Sequence, residues 1–292
     1  MASAAHGPVS DYREYPAPAP LAGHLFCLWT QSISASPCSY AQHVLPDGCI
    51  DIVLINDDAP MVIGPWSEPF IARLAPGTTI VGARFHPGRA PGLLGLPASK
   101  LLNQSVRLRD VCGSAVEAQF ARIARQPELP ARRLAIAAAL LDRLAHPAPL
   151  DQTVIAAVQW LAAHPHGRIE QLSRLMGISS RQLQRRFSNA VGYGPKMFQS
   201  VARFQRLVHL AGPRNNKRGH TSAFVQLSAD AGYADQAHMN REVRRFSGGA
   251  PARLLRSVES PLRMSGLFGQ SPARPHFSES DIFSGIQFEG SF

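Results

Sequence analysis

Leu172-Ser173-Arg174-Leu175-Met176-Gly177-Ile178-Ser179-Ser180-Arg181-Gln182-Leu183-Gln184-Arg185-Arg186-Phe187 and Leu227-Ser228-Ala229-Asp230-Ala231-Gly232-Tyr233-Ala234-Asp235-Gln236-Ala237-His238-Met239-Asn240-Arg241-Glu242-Val243 are two copies of one pattern. Each sets a glycine five residues after a leucine, with an apolar residue directly behind it. Leu183 and Phe187 follow in the first copy, Met239 and Val243 in the second. Both pairs are four residues apart and so share one face of a helix. The second copy has one more residue between its glycine and its apolar pair. Both copies end alike, Phe187 leading to Gly192 and Pro195, Val243 to Gly248 and Pro251. The pattern reads as a helix, a tight turn at the glycine, and a second helix. Ser179 or Ser180 would cap the second helix of the first unit, and Asp235 that of the second. Val243 is smaller than Phe187, so the second unit is expected to be the more weakly anchored.

The polar face of each second helix carries the functional expectation. It presents Ser180, Arg181, Gln184 and Arg185 in the first copy. In the second it presents Gln236, His238, Asn240 and Arg241, with Arg244 and Arg245 behind them. Arginine pairs with guanine and Gln or Asn with adenine through two hydrogen bonds each, so these side chains suit the edges of base pairs. A helix presented this way is the reading helix of a helix-turn-helix, here over 180–190 and 235–246. The competing reading is a pair of helical hairpins with solvated faces. Charge decides between them. The chain is +10 overall, but residues 168–256 alone carry 16 Lys or Arg against 4 Asp or Glu. The rest is slightly acidic, so the basic character belongs to the segment holding the repeat, where it suits a polyanion partner.

Working outward, "LSRLMGISSRQLQRRFSNAVGYGPKMFQ" and "AGYADQAHMNREVRRFSGGAP" resemble the AraC/XylS family of bacterial transcription regulators over about 151–257. The more specific string is Gly232-Tyr233-x-Asp235-Gln236-x-His238, followed by a basic helix and Gly248-x-x-Pro251. The resemblance implies two helix-turn-helix units joined by a long helix, here Lys196 to Leu210, that occupy successive major-groove segments of double-stranded DNA. It places base contacts at Arg181, Gln184, Arg185, Gln236, His238, Asn240 and Arg241. The stretch Gly212 to His220 is longer and more basic than the family pattern, and reads as a loop touching phosphate. "HVLPDGCIDIVLI", "GARFHPGRAPGLLGLPASKLL" and "VRLRDVCG" resemble a β-rich domain attached to some of these regulators and used for sensing or dimerisation.

The N-terminal half supports that division. Leu25 to Trp29, Ile50 to Ile55, Met61 to Ile63 and Thr78 to Val81 are short apolar runs. Pro46-Asp47-Gly48, Asn56-Asp57-Asp58 and Pro76-Gly77 punctuate them, as in a small antiparallel sandwich or barrel. Helical periodicity follows over Ala90 to Leu102, Ser114 to Ala124 and Ala131 to Leu144, the last with Leu134, Leu141 and Leu144 on its apolar side. His146-Pro147-Ala148-Pro149 is a break, and Asp151 is a cap for the helix after it. The fold class is therefore α+β: a small N-terminal β-sandwich or barrel-like domain with helices, then an all-α domain with two helix-turn-helix units. The expected boundaries are a loop over 1–20, a sensor or dimerisation domain over 21–145, a linker over 146–150, the DNA-binding domain over 151–258 and a disordered tail over 259–292.

Other chemistries find little footing. The chain has no Walker loop, nucleophile elbow or HExxH motif, so no catalytic residues and no cofactor are assigned. His43, Asp47, Cys49, Asp51 and His86 show no compact metal-ligand spacing. Asp47 reads as a turn residue. Asp51 inside an apolar strand needs a partner, for which Arg84 and His43 are the candidates. Cys27 and Cys49 lie in apolar runs and read as small buried residues. Trp29 and Trp66 read as core, with an effector pocket as the alternative. No secretory leader or membrane span is evident, which leaves a cytoplasmic protein as the expectation. Beyond DNA, the candidate partners are a small-molecule effector, a second copy of the chain and, for an activator, RNA polymerase. A nucleoid or RNA-binding protein without a specific operator is the other reading left open.

Overall fold

The computed structural model describes residues 9–35, 37–211 and 222–250. The basic stretch Gly212 to His220, Pro251 and the tail lie outside them.

The N-terminal half is built on a six-stranded antiparallel sheet. Its strands are β1 (Ser10–Pro16), β2 (Leu25–Ile33), β4 (Ile50–Ile55), β5 (Met61–Ile63), β7 (Thr79–Phe85) and β8 (Ser105–Arg107), in the order β1-β2-β7-β4-β5-β8. A second sheet pairs β3 (Tyr40–Val44) with β6 (Phe70–Leu74). The sandwich expectation holds in its outline, but the loop expected over 1–20 does not, because Ser10–Pro16 pairs along β2. Its sequence hides this. β1 is an edge strand, half-buried on one side only, and Pro16 stands at its last position, where an edge tolerates it.

Alternation along the central strands sorts residues to two faces. Ile50, Ile52 and Leu54 of β4, with Val81, Ala83 and Phe85 of β7, face one core. That core is completed by the helices α1 (Ala90–Leu94), α2 (Leu108–Cys112), α3 (Ser114–Ala124) and α4 (Leu129–Leu144). Val53, Ile80, Cys27 and Trp29 point to the opposite face, towards the small sheet. The helix expected over Ala90 to Leu102 stops at Leu94. Gly95 closes it in the left-handed region (φ +72°), and Pro97 leads into a single 3-10 turn. Leu134 is a second correction: it is 61% exposed, and α4 instead buries Ile136, Ala137 and Leu140.

The C-terminal half is helical. Its elements are α5 (Gln152–Ala163), α6 (Ile169–Leu175), α7 (Ser180–Val191), α8 (Pro195–Ala211), α9 (Ser222–Ala231) and α10 (Gln236–Ser247). Leu183 and Phe187 of α7, Phe198 and Phe204 of α8, and Met239 and Val243 of α10 share one core. Leu45, from the segment joining β3 to β4, is inserted into it. The two halves also meet where Gly192 approaches Pro65 and where Ala148 N donates to Gly92 O at 2.8 Å.

Candidate nucleic-acid interface

Both repeats fold as a helix, a glycine turn and a second helix. Gly177 (φ +64°) and Gly232 (φ +92°) occupy the left-handed region that a side chain disfavours. Behind each glycine the chain closes in the same way, Ile178 N donating to Ser173 O and Tyr233 N to Ser228 O. The caps then differ. Ser179 forms a full capping box with Gln182, in which Ser179 Oγ accepts from Gln182 N and Gln182 Oε1 accepts from Ser179 N. The Asp235 carboxylate accepts from His238 N without such a box. The additional residue before the second helix is Ala234, between Tyr233 and that cap.

The second helices of the two repeats, α7 and α10, then present the same positions. Ser180 and Gln236 come first in their helices, Gln184 and Asn240 fifth, Arg185 and Arg241 sixth. Arg181, Gln184, Arg185, Gln236, Arg241, Arg244 and Arg245 are exposed. Of the residues expected at the DNA, four are engaged within their own domain. Gln184 Nε2 donates to Ser188 Oγ at 3.3 Å. Ser180 Oγ lies 3.1 Å from Ser173 Oγ of α6. His238 is half-buried, edge-on to the Tyr233 ring and 3.5 Å from Glu242. Arg245 reaches back to Met197 of α8 at 3.3 Å.

The seventh position of each helix carries no expectation from sequence, yet it fixes how the helix is held. Arg186 makes two 2.7 Å hydrogen bonds to Asp151, the residue that also caps α5 through Val154 N. Glu242 accepts from Arg203 of α8 at 3.0 Å. One charged residue at the same place in each helix thus ties it to the framework, with opposite sign in the two copies. The only signal in the sequence was a charge next to the apolar face; its partner lies 35 or 39 residues away. Replacing Asp151 by alanine is expected to cost about 1–2 kcal/mol through the lost cap. It should also weaken DNA binding without removing any DNA-facing group. Urea unfolding and a binding titration on the same variant check both.

The second unit has an aromatic anchor of its own. Val243 is fully buried, and one turn on Phe246 is fully buried beside Phe204, ring centres 5.4 Å apart. The aromatic anchor has moved from the position of Phe187 to that of Phe246.

The N-terminal half holds a second feature, a cavity of about 370 Å³ between the two sheets. Asp51 and Arg84 are cross-strand partners there, with Arg84 Nε 3.0 Å from Asp51 Oδ1, and Trp29 Nε1 also donates to that oxygen at 3.0 Å. Trp29 therefore both packs and lines the cavity. Asp47 makes the expected turn, accepting from Cys49 N at 2.8 Å, and also stands 3.9 Å from Arg84. Burial pushes the Asp47 carboxyl upward, opposed by Arg84. Cys27 and Cys49 are buried, and burial pushes the Cys27 thiol up, away from a reactive thiolate. Among the described residues no three His, Cys, Asp or Glu side chains converge as a metal site would require. No described helix is long and apolar enough to cross a membrane.

Two family models match the chain: a helix-turn-helix domain over residues 172–257 and a domain of unknown function, DUF6597, over residues 13–107. No curated protein matches it. Among solved structures, the chain is similar to ToxT from Vibrio cholerae O395, at 9% identity and a TM-score of 0.42, covering 86% of this chain and 98% of that one. It is also similar to the same protein bound to (E)-4-(8-methylnaphthalen-1-yl)but-3-enoic acid, at 9% identity and a TM-score of 0.39, over 86% and 99% of the two chains. The matched model and the paired turn geometry agree: the chain carries an AraC-type helix-turn-helix domain, the DNA-binding part of a transcription regulator, behind an N-terminal β-rich domain.

Proposed function

We propose that the protein is a cytoplasmic, sequence-specific transcription regulator that acts by binding DNA, with no reaction of its own. In this reading α7 and α10 enter adjacent major-groove segments. The observation that carries it is the matched presentation of Gln184 with Asn240 and of Arg185 with Arg241 at the same positions of two helices. Arg181, Arg185 and Arg241 would read guanine, and Gln184, Gln236 and Asn240 adenine. Arg244 and Arg245 would contact phosphate, supplying affinity rather than choice. Ser180, Gln184, His238 and Arg245 would touch DNA only by exchanging their present partners. The DNA-binding unit runs over 151–258 on this proposal, and the part up to residue 145 supplies the regulatory input, through an effector or a second copy.

The test compares a bound promoter with random duplex DNA at one salt concentration. Arg185→Ala or Gln236→Ala should cost about 1–3 kcal/mol on the promoter, roughly 5- to 150-fold in affinity, and far less on random DNA. Equal losses on both would exclude base readout by that residue and favour a nucleoid-type protein.

A further inference from the structure

We infer that the cavity between the two sheets takes an apolar small molecule bearing a cationic or otherwise hydrogen-bond-donating head, and that the linker helix α8 senses its occupancy through Gln205. This rests on the regulator reading above and names the effector class for it.

The cavity is mostly apolar, lined by such residues as Val53, Ile55, Met61, Phe70 and Ile80, and its volume suits a small ligand. Its polar end is what selects. Most donors among the described lining residues are already committed, the exposed His43 and Ser105 excepted. Trp29 Nε1 and Arg84 Nε serve Asp51, Gln31 Nε2 serves Gln42, and the Tyr12 hydroxyl serves Glu14. Gln205 Nε2 serves the carbonyl of Pro46. That carbonyl can only accept, which fixes the orientation of the Gln205 amide. Gln205 Oε1 is then left buried with no hydrogen-bond partner, on a residue that is 1% exposed. A buried acceptor without a donor costs free energy, so a ligand that supplies one recovers it. Charge points the same way. Arg84 is the one guanidinium or ammonium among the lining residues. It faces Asp51 at 3.0 Å and Asp47 at 3.9 Å, with Glu14 at 4.0 Å on its other side. A carboxylate ligand would add a further anion to this group, whereas an ammonium would offset the excess.

The same residues connect the cavity to the DNA-binding half. Asp47 lines the cavity, while its neighbours Pro46 and Gly48 are not among the lining residues. Pro46 accepts from Gln205, and a Cβ on Gly48 would lie 3.1 Å from the Phe198 ring and 3.2 Å from Tyr193 Oη. Leu45 is inserted in the helical core. The segment 45–49 is therefore one short wedge between the cavity and α8, which packs against α5, α7, α9 and α10. A head group held between Asp47 and Gln205 bears on both sides of the wedge. Binding that differs between two arrangements of α8 would shift their balance.

Calorimetry on the full chain with tryptamine and with indole-3-propionate tests the class, since the two share a ring and differ in the sign of the head. Tryptamine should bind at least tenfold tighter, and Asp47→Asn, which keeps the turn, should remove most of that preference. In wild type tryptamine should change the affinity for a bound promoter, and Gln205→Met should abolish the change. Melting curves of each variant confirm that it is folded. Binding of the carboxylate as tight as that of the amine overturns the inference. So does indifference of tryptamine binding to Asp47→Asn, or no binding of either probe at 1 mM. Loss of promoter selectivity in the unliganded protein would instead count against the regulator reading and leave the calorimetric comparison standing.

Discussion

Phe246→Ala is expected to destabilise the second helix-turn-helix unit by about 3–5 kcal/mol, the usual cost of emptying a fully buried phenylalanine site. Phe246 has no exposed surface and lies tilted against Phe204, so truncation opens a void between α10 and α8. Hydrogen exchange should show the amides of α10 opening long before those of α7. DNA binding should fall towards what the first unit sustains alone. Phe246→Leu, which keeps most of the volume, should cost far less. A loss below about 1 kcal/mol for the alanine variant would mean that something other than this ring anchors the second unit.

The second large effect is expected at Arg84. Replacing it by methionine keeps the apolar stem but removes the cation that faces Asp51, Asp47 and Glu14. Breaking a buried pair by removing one partner typically costs about 3–5 kcal/mol, because the other charge stays behind. The loss should depend on pH. Burial already raises the Asp47 carboxyl and Arg84 opposes this, so without Arg84 it rises further. A carboxyl raised in the folded state holds a proton that the unfolded chain has released. Stability then falls as pH rises from the unfolded value towards the folded one, and is regained on acidification. The deficit of Arg84→Met against wild type should therefore be smaller at pH 5 than at pH 7.5 in urea unfolding. A deficit that is the same at both would place the destabilisation in packing instead.

The helical half was the more legible because its signals are local. A glycine turn, a cap and an apolar pair four residues apart lie within one short segment. Ser179, Asp235 and Asp151 accordingly cap the helices as expected. The repeated motif ends at Val243, one turn short of Phe246, so the repeat alone does not show the anchor of the second unit. In the β-rich half, β4 was plain because Ile50 to Ile55 is apolar on both faces. β1, β3 and β6 hold only half-buried and exposed residues, and little in Ser10 to Pro16 suggests a strand until β2 is seen beside it. The pairing of Asp51 with Arg84 was legible as a need, since a buried carboxylate requires a partner. The tethers of Arg186 and Glu242, and the wedge at 45–49, were not. Each depends on groups brought together across many residues of chain, which a local pattern does not record.

The most direct test of the central claim, that two unequal helix-turn-helix units read two major-groove segments, is methylation interference on a promoter selected from genomic fragments. Two clusters of guanines whose methylation blocks binding are expected, about one helical turn apart on one face of the duplex. Arg185→Ala should erase guanines from one cluster only, and Arg241→Ala from the other only. A single cluster, uniform coating, or both variants erasing the same guanines would contradict the claim.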